Sequence, residues 1–246
     1  MARGRRGLTV AAAAAGAVLV GAGVAAAAGG DGEHPVRVEQ LWVTGVPEPG
    51  SGPGAGPVRL DATLYLPQGV GRVPAVLLAH GIGGSKADVA DEAQRIAARG
   101  YVVLAWTARG FGRSGGLIHL DSPDYEVSDA AKLIDLLAAR PEVQLDGPGD
   151  PRVGVAGGSY GGALALLLAG YDHRVDAIVP QITWNDLGHA LFPQSEVSSP
   201  DPRSPAGIDP VGTPGVFKKG WAGVFFSPSG SAQAGLAASA GAAGPG

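Results

Sequence analysis

Gly157-Gly158-Ser159-Tyr160-Gly161 is the stretch that decides the fold, because it stands between a strand-like and a helix-like run. Residues 152–156 predict a buried strand, and residues 162–169 predict a helix that Gly170 closes. A sharp strand-to-helix turn strains the backbone of its central residue and needs small neighbours. Gly-x-Ser-x-Gly in this setting predicts a nucleophile elbow, with Ser159 exposed at the carboxyl edge of a sheet.

Strand and helix patterns alternate on both sides of this stretch. Residues 36–43 and 58–66 read as a first, antiparallel strand pair. Continuous apolar runs at 73–79 and 101–106 are typical of parallel strands that are buried on both faces. The remaining predicted elements are helices over 88–99 and 125–140 and a strand over 175–182. The sequence therefore predicts an α/β fold whose sheet is mostly parallel, with helices on both faces.

Composition narrows the classes of function. The 246 residues fit one α/β domain, and a net charge of -4 with few charged residues argues against a nucleic-acid partner. The absence of cysteine excludes disulfides, thiolate metal sites and a cysteine nucleophile. Nothing in the sequence implies a metal or another cofactor.

The N-terminus has the features of an export signal. Arg3, Arg5 and Arg6 form a positive start, residues 8–24 are apolar, and residues 26–28 offer a small-residue cleavage site. A membrane anchor is the alternative, but the run is mostly weakly apolar alanine and glycine. The paired arginines also resemble a twin-arginine signal. We expect a secreted protein without a stable membrane anchor once the signal is removed.

The predicted boundaries are a signal peptide (1–28), the main core (29–183), the start of a cap (184–226) and a low-complexity tail (227–246).

An activated serine needs hydrogen-bond donors for the oxyanion that forms on its substrate. The N–H of Tyr160, at the head of the helix after Ser159, is the first predicted donor. The second is the N–H of Ile82, within the glycine-rich turn His80-Gly81-Ile82-Gly83-Gly84 that follows a buried strand. We expect His80 itself to hold this loop in place.

Three motifs resemble one family in order and spacing. They are 80–84, the segment Arg109-Gly110-Phe111-Gly112-Arg113-Ser114-Gly115-Gly116, and 157–162. Together they resemble the α/β-hydrolases of the X-prolyl dipeptidyl-peptidase and cocaine esterase type. That resemblance implies an α/β-hydrolase fold and a serine hydrolase that cleaves an ester bond or a peptide bond, such as one after X-Pro, through an acyl-enzyme. Thr107 stands where the family has an aspartate.

The resemblance also implies a triad in the order serine, acid, histidine. Only His173 and His189 follow Ser159. His173 lies in a turn before a strand, and His189 and Asp186 are weak candidates for base and acid. We therefore expect the acid and base to be missing, the sheet to be incomplete at the C-terminus, and the chain to be truncated. A non-catalytic or inactive fragment that serves as a binding module is the alternative.

Overall fold

The structure is a computed structural model that describes residues 22–25, 33–50, 56–187 and 190. The sheet strands are β1 (Ala22–Ala25), β2 (Val36–Thr44), β3 (Arg59–Pro67), β4 (Ala75–Ala79), β5 (Val102–Trp106), β8 (Val153–Gly158) and β9 (Val175–Gln181). A separate hairpin consists of β6 (Leu145–Gly147) and β7 (Asp150–Pro151). The helices are α1 (Ala90–Ala98), α2 (Ser128–Ala138) and α3 (Tyr160–Tyr171), and a π-helical turn, Pro123–Val127, leads into α2.

The seven sheet strands lie in the order β1-β2-β3-β5-β4-β8-β9. The pairings of β1 with β2, β2 with β3 and β3 with β5 are antiparallel. From β5 through β4 and β8 to β9 all pairings are parallel. The continuous apolar runs predicted to be parallel strands form β4 and β5, and every residue of β5 is buried. The predicted antiparallel start and parallel remainder are both confirmed.

Helices cover both faces of this sheet, as predicted. On one face α1 packs Ala93 and Ala97 against β3 and β5. On the other face, Leu133 of α2 and Leu168 of α3 belong to the larger apolar core. Burial on both sides explains why the central strands carry few polar residues.

Some local features differ from the sequence predictions. Helix α3 continues one residue past Gly170, which was predicted to close it. The π-helical turn and the β6–β7 hairpin were not predicted. Strand β1 falls within the segment interpreted as an export signal and pairs with β2.

The fold places one set of loops together. Because β4, β5, β8 and β9 are parallel, the loops that follow them meet at the same edge of the sheet. Strand β9 is the outermost strand on this side within the described part of the chain, and its Val179 is exposed. No helix among the described residues has the length and apolar character that crossing a bilayer requires.

Candidate active site

Ser159 occupies a strained turn between β8 and α3. Its backbone has φ 54° and ψ -114°, a left-handed conformation that non-glycine residues rarely adopt. Hydrogen bonds hold it there: its N–H donates to the Gln181 carbonyl (2.9 Å), and its own carbonyl accepts from the Thr183 hydroxyl (2.8 Å). The end of β9 and the segment just after it therefore brace the turn, which has the geometry of a nucleophile elbow.

The glycines on both sides of Ser159 are required by close packing. A Cβ on Gly161 would lie 2.7 Å from the Ala79 carbonyl oxygen, and one on Gly157 would lie 2.9 Å from the same atom. A Cβ on Gly162 would lie 2.9 Å from the Gln181 carbonyl oxygen. These neighbours are backbone atoms, which cannot move aside as a flexible side chain could. The steric argument made from the sequence thus corresponds to specific contacts with β4 and β9.

The two predicted oxyanion donors lie on segments that flank Ser159. Tyr160 is the first residue of α3, where a backbone N–H has no partner within the helix. A Cβ on Gly81 would lie 3.8 Å from the Cβ of Ser159, so the loop after β4 passes directly beside the elbow. Ile82 follows Gly81 and packs against the cluster that contains Phe111 and Tyr160. The two oxyanion assignments themselves remain predictions.

His80 ties two loops together. It is 3% exposed, its Nε2 accepts the Ala108 N–H (3.0 Å), and its Nδ1 donates to the Gly81 carbonyl (2.7 Å). Burial lowers the pKa of His80, so the imidazole is neutral. With both ring nitrogens bound to backbone, His80 has the loop-holding role expected from the sequence.

Arg109, in the motif after β5, lies at the centre of a buried ionic network. It is fully buried and binds the Asp129 carboxylate through two hydrogen bonds of 2.7 Å. It also donates to the Val46 carbonyl (2.9 Å) and lies 3.4 Å from Glu48. The network joins the loop after β5, the start of α2 and the loop after β2. The sequence marked this motif but did not reveal its partners.

Thr107, which departs from the family pattern, is also buried and bonded. Its hydroxyl accepts the Lys86 N–H (3.1 Å), and its carbonyl accepts the Ser114 hydroxyl (2.6 Å). The Lys86 ammonium reaches Asp61 at 2.6 Å. Threonine therefore still connects the loops that follow β4 and β5, although it brings no charge.

No described histidine is hydrogen-bonded to the Ser159 hydroxyl. His119 pairs with Glu48 (2.7 Å) and stacks on Tyr125. His173 lies in the turn between α3 and β9, at the opposite edge of the sheet. Asp186 is exposed in the segment after β9. The other candidate, His189, lies outside the described residues, as does most of the predicted cap.

Asp121 is a feature that the sequence did not predict. It is 2% exposed, and neither carboxyl oxygen has a hydrogen-bond partner within the described residues. Burial, with a smaller contribution from the charge of Glu126, raises its pKa to about 8, although the nearby Tyr160 phenol opposes the rise. Leu120 and Asp121 both have left-handed backbones, with φ of 54° and 60°. No motif marks these residues, which follow the glycine-rich segment 109–116.

The comparison with protein families agrees with this geometry. Residues 54–205, more than half of the chain, match the model of the X-Pro dipeptidyl-peptidase family S15. The chain belongs to this family. The match spans the loop after β4, the motif after β5 and the elbow, the three segments on which the family resemblance was based.

Two curated proteins are similar to this S15 family member. The uncharacterized protein PA2218 of Pseudomonas aeruginosa is 35% identical over 126 residues, which are 50% of this chain and 33% of that protein. The quorum-quenching protein AidA of Acinetobacter baumannii is 32% identical over 131 residues, which are 52% of this chain and 41% of that protein. The chain thus spans about a third to two fifths of the length of these relatives.

Solved structures also support the fold. Acetyl xylan esterase 1 from Thermoanaerobacterium sp. JW/SL YS485 is 25% identical, with a TM-score of 0.50 over 69% of this chain and 53% of that one. The crystal structure of PA2218 is 29% identical, with a TM-score of 0.51 over 66% of this chain and 48% of that one. Together with the family match, these structures confirm the predicted α/β-hydrolase fold.

Proposed function

We propose that this S15 family member is a serine hydrolase that cleaves an ester or peptide bond through an acyl-enzyme on Ser159. The family match and the esterase neighbour support hydrolase chemistry. The observation that carries the proposal is the left-handed backbone of Ser159 between β8 and α3, packed tightly by glycines on both sides. Such strain persists only where the surrounding structure enforces it, and it concentrates at functional sites.

In the proposed reaction the Ser159 hydroxyl attacks the substrate carbonyl carbon. A general base takes the hydroxyl proton as the Oγ–C bond forms, and the carbonyl oxygen becomes an oxyanion facing the N–H groups of Tyr160 and Ile82. The bond to the leaving alcohol or amine then breaks, and the base returns the proton to that group. Water hydrolyses the acyl-enzyme by the same steps.

No residue in the described part of the chain is assigned as the base or its acid partner. Of the described histidines, His80 and His119 are bonded elsewhere, and His34 and His173 lie at the far edge of the sheet. This observation favours the second candidate function, a non-catalytic binding module with the same fold. Turnover that depends on Ser159 separates the two, because a binding module would show none.

The choice of substrate lies between an ester and an X-Pro peptide. The family name indicates the peptide, whereas the esterase neighbour indicates the ester. A direct test compares hydrolysis of p-nitrophenyl acetate and Ala-Pro-p-nitroanilide by the full-length protein and its Ser159→Ala variant. We expect turnover of at least one substrate to fall by about 10³ or more in the variant. Equal rates in both proteins would contradict the proposal.

We also propose that the protein is exported, on the basis of the arginines and small residues in the first 28 positions. The acyl substrate is then an extracellular small molecule or peptide.

A further inference from the structure

The side chain of Tyr160 connects the head of α3 to the loop that follows β5. It is 1% exposed, and its ring packs edge-on against Phe111 at 5.6 Å between centroids. The phenol oxygen accepts the Asp121 N–H at 3.2 Å and donates to the Glu126 carboxylate at 3.3 Å. The same residue therefore carries a proposed oxyanion donor on its backbone and a buried polar anchor at its tip.

The Glu126 carboxylate is itself fixed by backbone groups. One oxygen accepts the His119 N–H at 2.6 Å, and the other accepts the Ser122 N–H at 3.0 Å. Glu126 belongs to the π-helical turn Pro123–Val127, an element that occurs frequently at functional sites. The phenol thus meets an acceptor whose position is set by the surrounding loop.

The other phenol contact is made by a strained segment. Leu120 and Asp121 both have positive φ, although neither is a glycine. Asp121 also buries a carboxyl group that has no partner within the described residues. Both features destabilise the fold, and both occur at the residue whose N–H reaches Tyr160. Packing alone would not require either feature, since a phenylalanine in place of Tyr160 would fill the same space without a hydroxyl that needs partners.

We propose that residues 119–126 form a positioning device that holds the Tyr160 phenol and thereby fixes the Tyr160 N–H for the oxyanion. Tyr160 is the residue through which it acts, while Glu126 and Asp121 are positioning residues. This inference depends on the proposed function, because it assigns a purpose to a donor of that reaction. A small displacement of a donor at the reacting carbon is enough to slow acyl transfer by about 10².

The device also makes a pH dependence testable. Ionisation of Asp121 would place a second negative charge beside Glu126 and the phenol. The titratable groups that act on it are Glu126 of the π-helical turn and the Tyr160 phenol of α3. Glu126 in turn acts on Arg109 of the loop after β5, whose own ion-pair partners are Asp129 of α2 and Glu48 of the loop after β2. Since the pKa of Asp121 is about 8, the positioning should weaken above that pH.

The test measures how fast Ser159 of the full-length protein reacts with a fluorophosphonate. In this reaction the Oγ–P bond forms and fluoride leaves, while the phosphoryl oxygen occupies the place of the oxyanion. We expect Tyr160→Phe to lower the maximal labelling rate by about tenfold or more with an unchanged half-saturating probe concentration. Tyr65→Phe, which removes a buried phenol on the other face of the sheet, is the matched control.

Two further comparisons exclude a merely structural role. The labelling rate of wild type should decline above about pH 8, and Asp121→Asn should abolish that decline. Tyr160→Phe and Tyr65→Phe should have similar melting temperatures. A Tyr160→Phe rate within twofold of wild type would overturn the proposal, as would a loss confined to probe affinity.

If wild-type Ser159 does not react at all, the proposed function fails and a second measurement decides the positioning claim. Amide hydrogen exchange should become at least fivefold faster in the peptide spanning residues 155–166 of Tyr160→Phe, while α1 exchanges as in wild type. Unchanged exchange in that peptide would refute the positioning device independently of activity.

Discussion

The most direct steric prediction concerns Gly161, at the start of α3. In Gly161→Ala the new Cβ would lie 2.7 Å from the Ala79 carbonyl oxygen, 2.8 Å from the Ala79 Cβ and 2.8 Å from the His80 carbonyl oxygen. All three atoms belong to β4 or to the backbone just after it, so α3 must move away from the sheet. Overpacking costs about 1–3 kcal/mol of unfolding free energy, and contacts with backbone atoms that cannot move aside favour the upper part of that range, above the helix-propensity gain of about 1 kcal/mol.

Gly170→Ala is the matched control in the same helix. A Cβ there would have nothing within 4 Å, so the substitution should stabilise the protein by up to about 1 kcal/mol. Thermal unfolding followed by circular dichroism measures both variants. We expect Gly161→Ala to melt several degrees below wild type, at about 2–4 °C per kcal/mol, and Gly170→Ala to melt at or above wild type. Equal melting temperatures for the two variants would refute the packing argument.

Three other predictions concern the buried charges and the N-terminus. The folded pKa of Asp121 is about 8, above its unfolded value of about 3.9, so the folded state binds more protons between these two values. The free energy of unfolding of wild type should therefore fall as the pH rises from about 4 to about 8. Relative to wild type, the free energy of unfolding of Asp121→Asn should increase by up to about 1.4 kcal/mol per pH unit as the pH rises over that range. Unfolding free energies of the two proteins that change in parallel with pH would exclude this. Arg109→Met should lose about 3–5 kcal/mol in urea unfolding because the Asp129 carboxylate stays buried without its cation, whereas Arg109→Met/Asp129→Leu should recover part of it, since Asp129 also accepts the Val46 N–H. N-terminal sequencing of protein from the culture medium should begin just after Ala28, and recovery of intact Met1 in membranes would indicate an anchor.

The elements that follow simple periodicity were predictable from the sequence. The apolar runs of β4 and β5 indicated their burial, and strands β3, β4 and β5 match the predicted bounds within two residues at each end. The alternation in β3 predicted a half-buried strand, whereas its polar Asp61 and Thr63 are buried as well. The elbow was predictable because its requirements are local: one strained serine and small neighbours on both sides. Such features depend on residues that are adjacent in the chain.

The interactions that hold the site depend on segments far apart in the sequence. Arg109 binds Asp129, 20 residues away, and Glu48, 61 residues away, and neither pairing has a spacing rule. Asp121, which has a left-handed backbone, donates its N–H to Tyr160, 39 residues away. Sequence patterns identified Arg109 as part of a motif, but only the folded loops show what it binds.

The central claim is that Ser159 is the nucleophile. The most direct measurement is mass spectrometry of the full-length protein after reaction with a fluorophosphonate, with the adduct mapped to a residue. The account predicts a single adduct on Ser159 that is absent in Ser159→Ala. An adduct on another residue, or equal labelling of the Ser159→Ala variant, would contradict it.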